Sequence, residues 1–317
     1  MCLRSTSTPV VLRALSTAVL WLGLAGAAAA QSATAAPAVK DGAPAPPDGR
    51  TLLADIQVLT APGMDGRGTG TPGNAKARAW IVERLGAIRP LEAPFTFTSK
   101  AGVPMQGVNV VATCGGRRQE LPPIVISAHY DHLGIRDGQT YHGADDNASG
   151  VAMLLAVAAR CQQTPYSHPL VLAFLDAEEQ GLQGARAFIA QSLARRPIAL
   201  NINFDMVSRS AGREIYVAGP GRWPLLAPVL KAPASRASIS VKFGHDTGGG
   251  QDDWTQQSDH GPFHSAGIPF VYFGVEDHAD YHQPTDTADK IDPGFLGGVA
   301  AFVLDAVAAL DRTPAFK

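Results

Sequence analysis

The sequence predicts an α/β protein, a three-layer α/β/α sandwich around a mostly parallel central mixed sheet. Two observations lead there. Short apolar runs of strand length alternate with amphipathic segments of helix length, the pattern of a sheet covered on both faces by helices. The chain also places histidines and acids directly after the apolar runs, and open α/β sheets collect their sites beyond the carboxyl ends of the strands.

Taken in order, residues 51–91 have helical periodicity, interrupted by MDGRGTGTPGN (64–74). That segment lacks the Lys-Ser/Thr of a phosphate loop and follows no clear strand, so a turn-rich surface loop is expected. AKARAWIVERL (75–85) is amphipathic at helical spacing. Strands are expected at 95–98, 108–113, 124–128, 170–175, 199–204, 214–218, 239–243 and 269–273. Helices are expected at 148–160, 184–194 and 295–310. No repeat or composition break divides residues 50–317, which are expected to form a single domain.

The ends and composition bound the setting. The chain has 317 residues, a net charge of -2 and 45% hydrophobic residues, which is globular composition with no electrostatic footprint for nucleic acid or an anionic membrane. Arg4 and Arg13 precede ALSTAVLWLGLAGAAAA, which ends in three alanines before Gln31. That order predicts a secretory signal peptide over 1–30 and a periplasmic or extracellular protein with no stable membrane association after cleavage. No other segment is expected to be long and apolar enough to span a bilayer. Residues 31–49 are Ala/Pro-rich, an expected disordered leader. Cys114 and Cys161 remain; they are a pair in an oxidising compartment or two buried thiols, and their spacing does not choose.

The chemistry-bearing residues fall at five places. IVISA (124–128) runs into His129-Tyr130-Asp131, and LVLAFL (170–175) runs into Asp176-Ala177-Glu178-Glu179. NINF (201–204) runs into Asp205, GADDN (143–147) carries Asp145 and Asp146, and Tyr281-His282 follows the last strand. Nitrogen and oxygen donors of this mix suit zinc, with cobalt or manganese as substitutes. Two histidines and three carboxylates exceed one four-coordinate ion but divide well between two, each with one His and one terminal carboxylate, the third carboxylate bridging. Two ions ~3.5–4 Å apart can activate a water and stabilise the oxyanion formed at a carbonyl. In His129-x-Asp131 the two side chains point the same way along an extended strand, so Asp131 can reach the ring N–H not used for metal; a ligand or a plain turn residue are the alternatives. Glu178 and Glu179 are adjacent at a strand end and point to different sides, so they need not share a role.

AHYDHLG, GADDNASG, LDAEEQG, NFDMV and YHQPTDT, in that order, resemble the M28 family of co-catalytic zinc aminopeptidases, as does SDHGPFHSAGIPFVYF (258–273). The resemblance covers the chain from about Gly66 onward and implies a fold of the zinc-exopeptidase (phosphorylase/hydrolase-like) type. It implies that His129 and Asp205 hold one zinc, that Glu179 and His282 hold the other, and that Asp145 bridges. It further implies Glu178 as general base, Asp131 as the partner of His129, a cis peptide between Asp145 and Asp146, and Tyr281 near the substrate carbonyl. The implied activity is removal of N-terminal residues from peptides with a free N-terminus. The rival readings are a dipeptidase or carboxypeptidase of the same superfamily, a glutaminyl-cyclase-like acyltransferase with fewer metals, and a non-catalytic binding ectodomain.

Other residues are expected to be structural. Gly261-Pro262 argues against a helix through His260 and His264. His132 and His142 line the pocket or are ordinary loop residues, and His168 is expected at the surface. Asp286 braces His282 or caps a turn, Asp176 is structural, and Arg209 forms a salt bridge or meets a substrate terminus. GHDTGGGQDDW (244–254) is expected to be a mobile loop in the specificity wall.

Overall fold

The structure, a computed structural model, describes residues 45–192, 196–248, 252–313 and 315–316. The expected signal peptide and most of the leader lie outside the described residues, as do the end of the helix expected at 184–194 and the tip of the 244–254 loop.

In chain order the elements are α1 (Gly49–Leu59), α2 (Pro72–Arg84), β1 (Leu91–Thr98), β2 (Pro104–Cys114), β3 (Ile124–His129), β4 (Gly134–Arg136), β5 (Gln139–Tyr141) and α3 (Gly150–Gln163). They continue with β6 (Leu170–Leu175), α4 (Gln183–Ser192), β7 (Leu200–Phe204), β8 (Glu214–Ala218), α5 (Leu226–Arg236), β9 (Ser240–Phe243), α6 (His260–Ser265), β10 (Phe270–Gly274) and α7 (Pro293–Asp311). Helix starts follow capping chemistry: Thr71 accepts from the Asn74 N–H ahead of α2, and Asp292 from the Gly294 N–H ahead of α7, each with proline at the first helical position.

Eight strands form one sheet in the order β1-β2-β6-β3-β7-β10-β8-β9. The central four, β6, β3, β7 and β10, are parallel, while β1, β2 and β8 pair antiparallel at the flanks. β3 is buried on both faces and its side chains alternate between them. Ile124, Ile126 and Ala128 pack with α1, α3, α5 and α7 in the main core. Val125 joins Ala173, Leu175, Phe188 and Phe263 under α4 and α6. The chain leaves β3 for β6 on one side and later returns to β7 on the other. β3 is therefore the topological switch point, and the crevice opens beyond its carboxyl end.

Several expectations are corrected. α6 runs through Gly261-Pro262, because Pro262 sits in the first turn, where its missing N–H costs no helical bond. MDGRGTG is no surface loop: Gly66, Arg67, Gly68 and Thr69 are buried against the carboxyl end of β3. His168 is buried, with Nδ1 2.7 Å from the Pro122 carbonyl. α7 is long and apolar enough to cross a membrane by composition, contrary to expectation, but it packs in the core against α1 and α5. Cys114, ending β2, and Cys161, near the end of α3, are joined in a disulfide.

Candidate metal centre and active site

Two site segments leave their strands through a left-handed residue, and the last ligand sits on another. Ala177, Met206 and His282 all have left-handed backbones, with φ of 58°, 54° and 54°. Non-glycine residues rarely adopt this region unless the surroundings impose it. The surroundings here are hydrogen bonds. The Asp131 carboxylate accepts from the Glu178 N–H (3.0 Å), the Glu179 N–H (3.3 Å) and the Thr69 hydroxyl (3.1 Å). The neighbouring Asp176 is buried and satisfied by Asn74, Thr69 and the N–H groups of Val108 and Ala177, the structural role expected of it.

Asp131 thus locks the Glu-Glu segment. Its link to His129 differs from the expected one: Nδ1 lies 3.2 Å from the Asp131 backbone carbonyl and 3.7 Å from its carboxylate. The carbonyl is the nearer partner and selects the tautomer that leaves Nε2 free.

The GADDN loop supplies the main correction. Asp145, expected to bridge, is buried and turned away: Oδ1 accepts from the Ser208 N–H and hydroxyl (2.8 and 2.7 Å), and Oδ2 lies 3.1 Å from His278 Nε2. Asp146 takes the central place. Its Oδ1 is 3.5 Å from His129 Nε2, and its Oδ2 is 3.1 Å from His282 Nε2 and 3.6 Å from His132 Nδ1. The cis peptide likewise lies between Asp146 and Asn147, one residue later than expected. Asp286 accepts from the N–H groups of both aspartates (3.0 and 3.1 Å), so it braces this loop rather than His282. Asn147 ties the loop to β7 by donating to the Phe204 carbonyl (2.9 Å).

Two clusters of donors result, with Asp146 common to both. His129, Asp146 and Asp205 form one, with His129 Nε2 3.3 Å from Asp205 Oδ1. His132, Asp146 and Glu179 form the other, with His132 Nδ1 3.0 Å from Glu179 Oε1, and His282 Nε2 adjoins it 3.5 Å from the same oxygen. The structure therefore brings together His129, Glu179, Asp205 and His282 as expected by position. It excludes Asp145 and adds Asp146 and His132. Among the described residues, Glu179 Oε1 and both nitrogens of His132 are buried without a hydrogen bond. Orphaned donors of zinc-type chemistry, gathered from five segments, fit metal ions.

The two glutamates also differ electrostatically. Burial pushes the Glu178 carboxyl well above the ordinary range; His129 draws it down, while Glu179, Asp205 and Asp259 push it up. Burial would also raise Glu179, but the imidazoles of His132 and His282 prevail and hold it below the ordinary range. His282 is opposed by burial and pushed up to about 10 by Asp146 and Glu179. Glu178 is thus suited to carry a proton and Glu179 to stay ionised.

These groups floor a cavity of about 390 Å³ whose walls include Leu182, Trp254, Tyr272, Asp277 and Tyr281. Tyr281 stacks on His282, with centroids 3.9 Å apart. In its described part, the 244–254 stretch supplies Trp254 to the cavity wall; His245 stacks on Trp254 at 3.7 Å, and Tyr216 meets both edge-on. Arg209 is not in this cavity; it pairs with Asp280 at 2.7 Å. The helical pair His260 and His264 shares no metal cluster among the described residues.

The profile of the peptidase family M28 matches residues 109–307. A probable lipoprotein aminopeptidase, LpqL of Mycobacterium tuberculosis, is 32% identical over 221 residues, 58% of this chain and 42% of the relative. The chain thus spans less than half of that relative's length. Among solved structures, a zinc aminopeptidase from Bacillus subtilis superposes with a TM-score of 0.69 at 17% identity, covering 82% of this chain and 94% of that one. An Acidobacteriales bacterium glutaminyl cyclase superposes with a TM-score of 0.73 at 22% identity, covering 88% and 99%. Both structural likenesses establish the fold, and they carry two different chemistries on it.

Proposed function

The chain belongs to peptidase family M28, and from that premise we propose that it is an exported di-zinc aminopeptidase acting on peptides with a free N-terminus. The observation that carries this reading is the shared carboxylate: Asp146 presents one oxygen to His129 and the other to His282, the arrangement of a bridging ligand between two ions. His129 and Asp205 would complete one ion's protein ligands, and Glu179 and His282 would contribute to the other's. When bound, the pair supplies Lewis-acid polarisation of the scissile carbonyl and an acidified water.

The chain's own residues do the rest. Glu178, raised by burial, accepts a proton from the attacking water and delivers it to the departing amine nitrogen. Asp131 holds the Glu178 and Glu179 N–H groups, so base and ligand cannot exchange places. Tyr281, on the cavity wall beside His282, would donate to the substrate carbonyl oxygen. Asp277, on the same wall, offers a carboxylate to a substrate ammonium. Export is supported by the basic–apolar–small-residue start of the chain and by the Cys114–Cys161 disulfide, which suits an oxidising compartment.

Glutaminyl cyclisation is the second reading, favoured by the cyclase-like fold. One assay separates the two. The purified protein is given aminoacyl-p-nitroanilides, their N-blocked counterparts and an N-terminal glutaminyl peptide, with and without a chelator. Chelator-sensitive release from free amino substrates alone is expected. Equal cleavage of blocked substrates would remove the aminopeptidase reading, and ammonia release from the glutaminyl peptide without peptide cleavage would install the cyclase.

A further inference from the structure

We propose that Lys100 and Arg186 form a carboxylate-binding subsite on the leaving-group side of the cavity, so that the favoured substrates carry a carboxylate just past the scissile bond. Its source is either the free C-terminus of a short leaving group or an acidic side chain. The inference rests on the aminopeptidase reading above and names a substrate class for it.

The charges of the cavity carry it. The carboxylates of Asp146, Glu178, Glu179 and Asp205 belong to the ions and the base, and Asp277 adds another. The lysine and arginine in the same walls are Lys100 and Arg186. Both are exposed, and the ion pairs of Lys and Arg among the described residues use other side chains. Both converge on Gly181. Its φ is +99°, and a Cβ there would lie 3.9 Å from Lys100 Cε; the Gly181 carbonyl accepts from Arg186 Nε at 3.3 Å. Two like charges beside one residue repel, and a carboxylate offsets that while accepting charge-assisted hydrogen bonds.

Gly181 also fixes the side. Its N–H donates to the Glu178 carbonyl (2.8 Å), so the cations stand at the far end of the turn that carries the base. Glu178 hands its proton to the departing nitrogen, so the leaving portion starts beside that turn. An extended chain advances ~3.3–3.6 Å per residue, and a carboxylate that meets these cations belongs to the first or second departing residue. Asp277 follows β10, and Gly181 follows β6, with β3 and β7 between them. A substrate's ammonium and carboxylate would thus meet opposite charges on separate walls. The placement of Lys100 is imposed by its turn: the Ser99 N–H donates to the Val103 carbonyl (2.8 Å) and the Gly102 N–H to the Ser99 carbonyl (2.9 Å). Lys100, Glu179 and His282 also wall a neighbouring cleft with Arg136. Glu178 lines the first cavity and not that cleft, which singles out Arg186 over Arg136 as the second cation.

The test compares matched substrates by kcat/KM for leucine release from the zinc-loaded full chain. Leu-Gly against Leu-Gly-amide reads a C-terminal carboxylate, and Leu-Glu-amide against Leu-Gln-amide reads an acidic side chain. The natural protein should favour the carboxylate member of at least one pair by on the order of tenfold, as two exposed ion pairs allow, and added salt should narrow the ratio. The pair that responds identifies the source. Lys100→Gln/Arg186→Gln should bring the ratio towards one, and Arg136→Gln should keep it. Lys100→Glu/Arg186→Glu should invert the preference, favouring Leu-Lys-amide over Leu-Gln-amide, a result that a merely structural role would not give. Ratios near one for both pairs in the natural protein, or an unaltered ratio in the double Gln variant, would overturn the subsite while sparing the aminopeptidase reading. No leucine release from any of these substrates would overturn both. The ratios of the natural protein need no variant, so a folding defect in a variant leaves the proposal decidable.

Discussion

Replacing Arg67 with methionine removes a fully buried guanidinium and keeps most of its stem. Arg67 donates to four backbone carbonyls: Tyr130 (2.9 Å), Leu59 (2.9 Å), His142 (2.7 Å) and Gly143 (2.9 Å). Burial lowers it from 12.5 to about 10, with Asp146, Asp286, Asp131 and Glu179 working in the opposite direction, so it is charged at neutral pH and all four bonds are charge-assisted. The Gly143 carbonyl also accepts from the Ala148 N–H. The other three carbonyls are left without this donor at ~1–1.5 kcal/mol each, which puts the loss at about 3–5 kcal/mol. Urea unfolding of Arg67→Met against the natural protein, with equal slopes, reads that loss directly. Because three of the acceptors flank His132 and the GADDN loop, zinc affinity should fall in the same variant. A loss below ~1 kcal/mol would show that water or relaxation replaces the guanidinium and that Arg67 does not hold the site together.

Other substitutions separate adjacent acids. Glu178→Gln should lower kcat by ~10²–10⁴-fold with zinc content unchanged, whereas Glu179→Ala should lose zinc; a Glu178→Gln protein devoid of zinc would reverse the two roles. Asp146→Asn should weaken both ions together, while Asp145→Asn should keep them and lower stability through its bonds to Ser208, as read by metal content and thermal unfolding. His260 is buried and lowered by that burial from 6.5 to about 4. It is neutral when folded and protonates more readily when unfolded, so its contribution is complete above about pH 6.5 and is lost as pH falls toward 4. The loss should be about 2 kcal/mol between pH 7.5 and 5. Unfolding curves of His260→Phe should lack that share of the pH dependence, and identical pH profiles would refute it.

Much of the architecture was legible because it is written in local periodicity. LVLAFL and EIYVA are strands at their expected bounds, and α7 exceeds its expected span by a few residues. The three acid-bearing strand ends were legible because motif and strand end coincide, and His282, beyond the end of β10, was legible from the YHQPTDT motif alone. α6 was hidden because a proline in a first turn looks, in sequence, like any helix breaker. MDGRGTG was hidden because burial of Arg67 depends on carbonyls supplied by residues 8 to 76 positions away.

By itself the sequence determined the sheet's alternation, the family, and the presence of two doubled acids, Asp145-Asp146 and Glu178-Glu179, where ligands were needed. It could not decide which aspartate faces the ions. Adjacent side chains diverge, and the direction each takes is set by the turn's partners: Ser208, 63 residues from Asp145, and Asp286, 141 residues away. The same holds for His132, whose ring is aimed by Gly143 and Arg67, and for the Cys114–Cys161 disulfide, which exists because β2 and α3 bring residues 47 apart to a Cα separation of 6.2 Å. Those choices belong to tertiary structure because the groups that make them are distant in the chain.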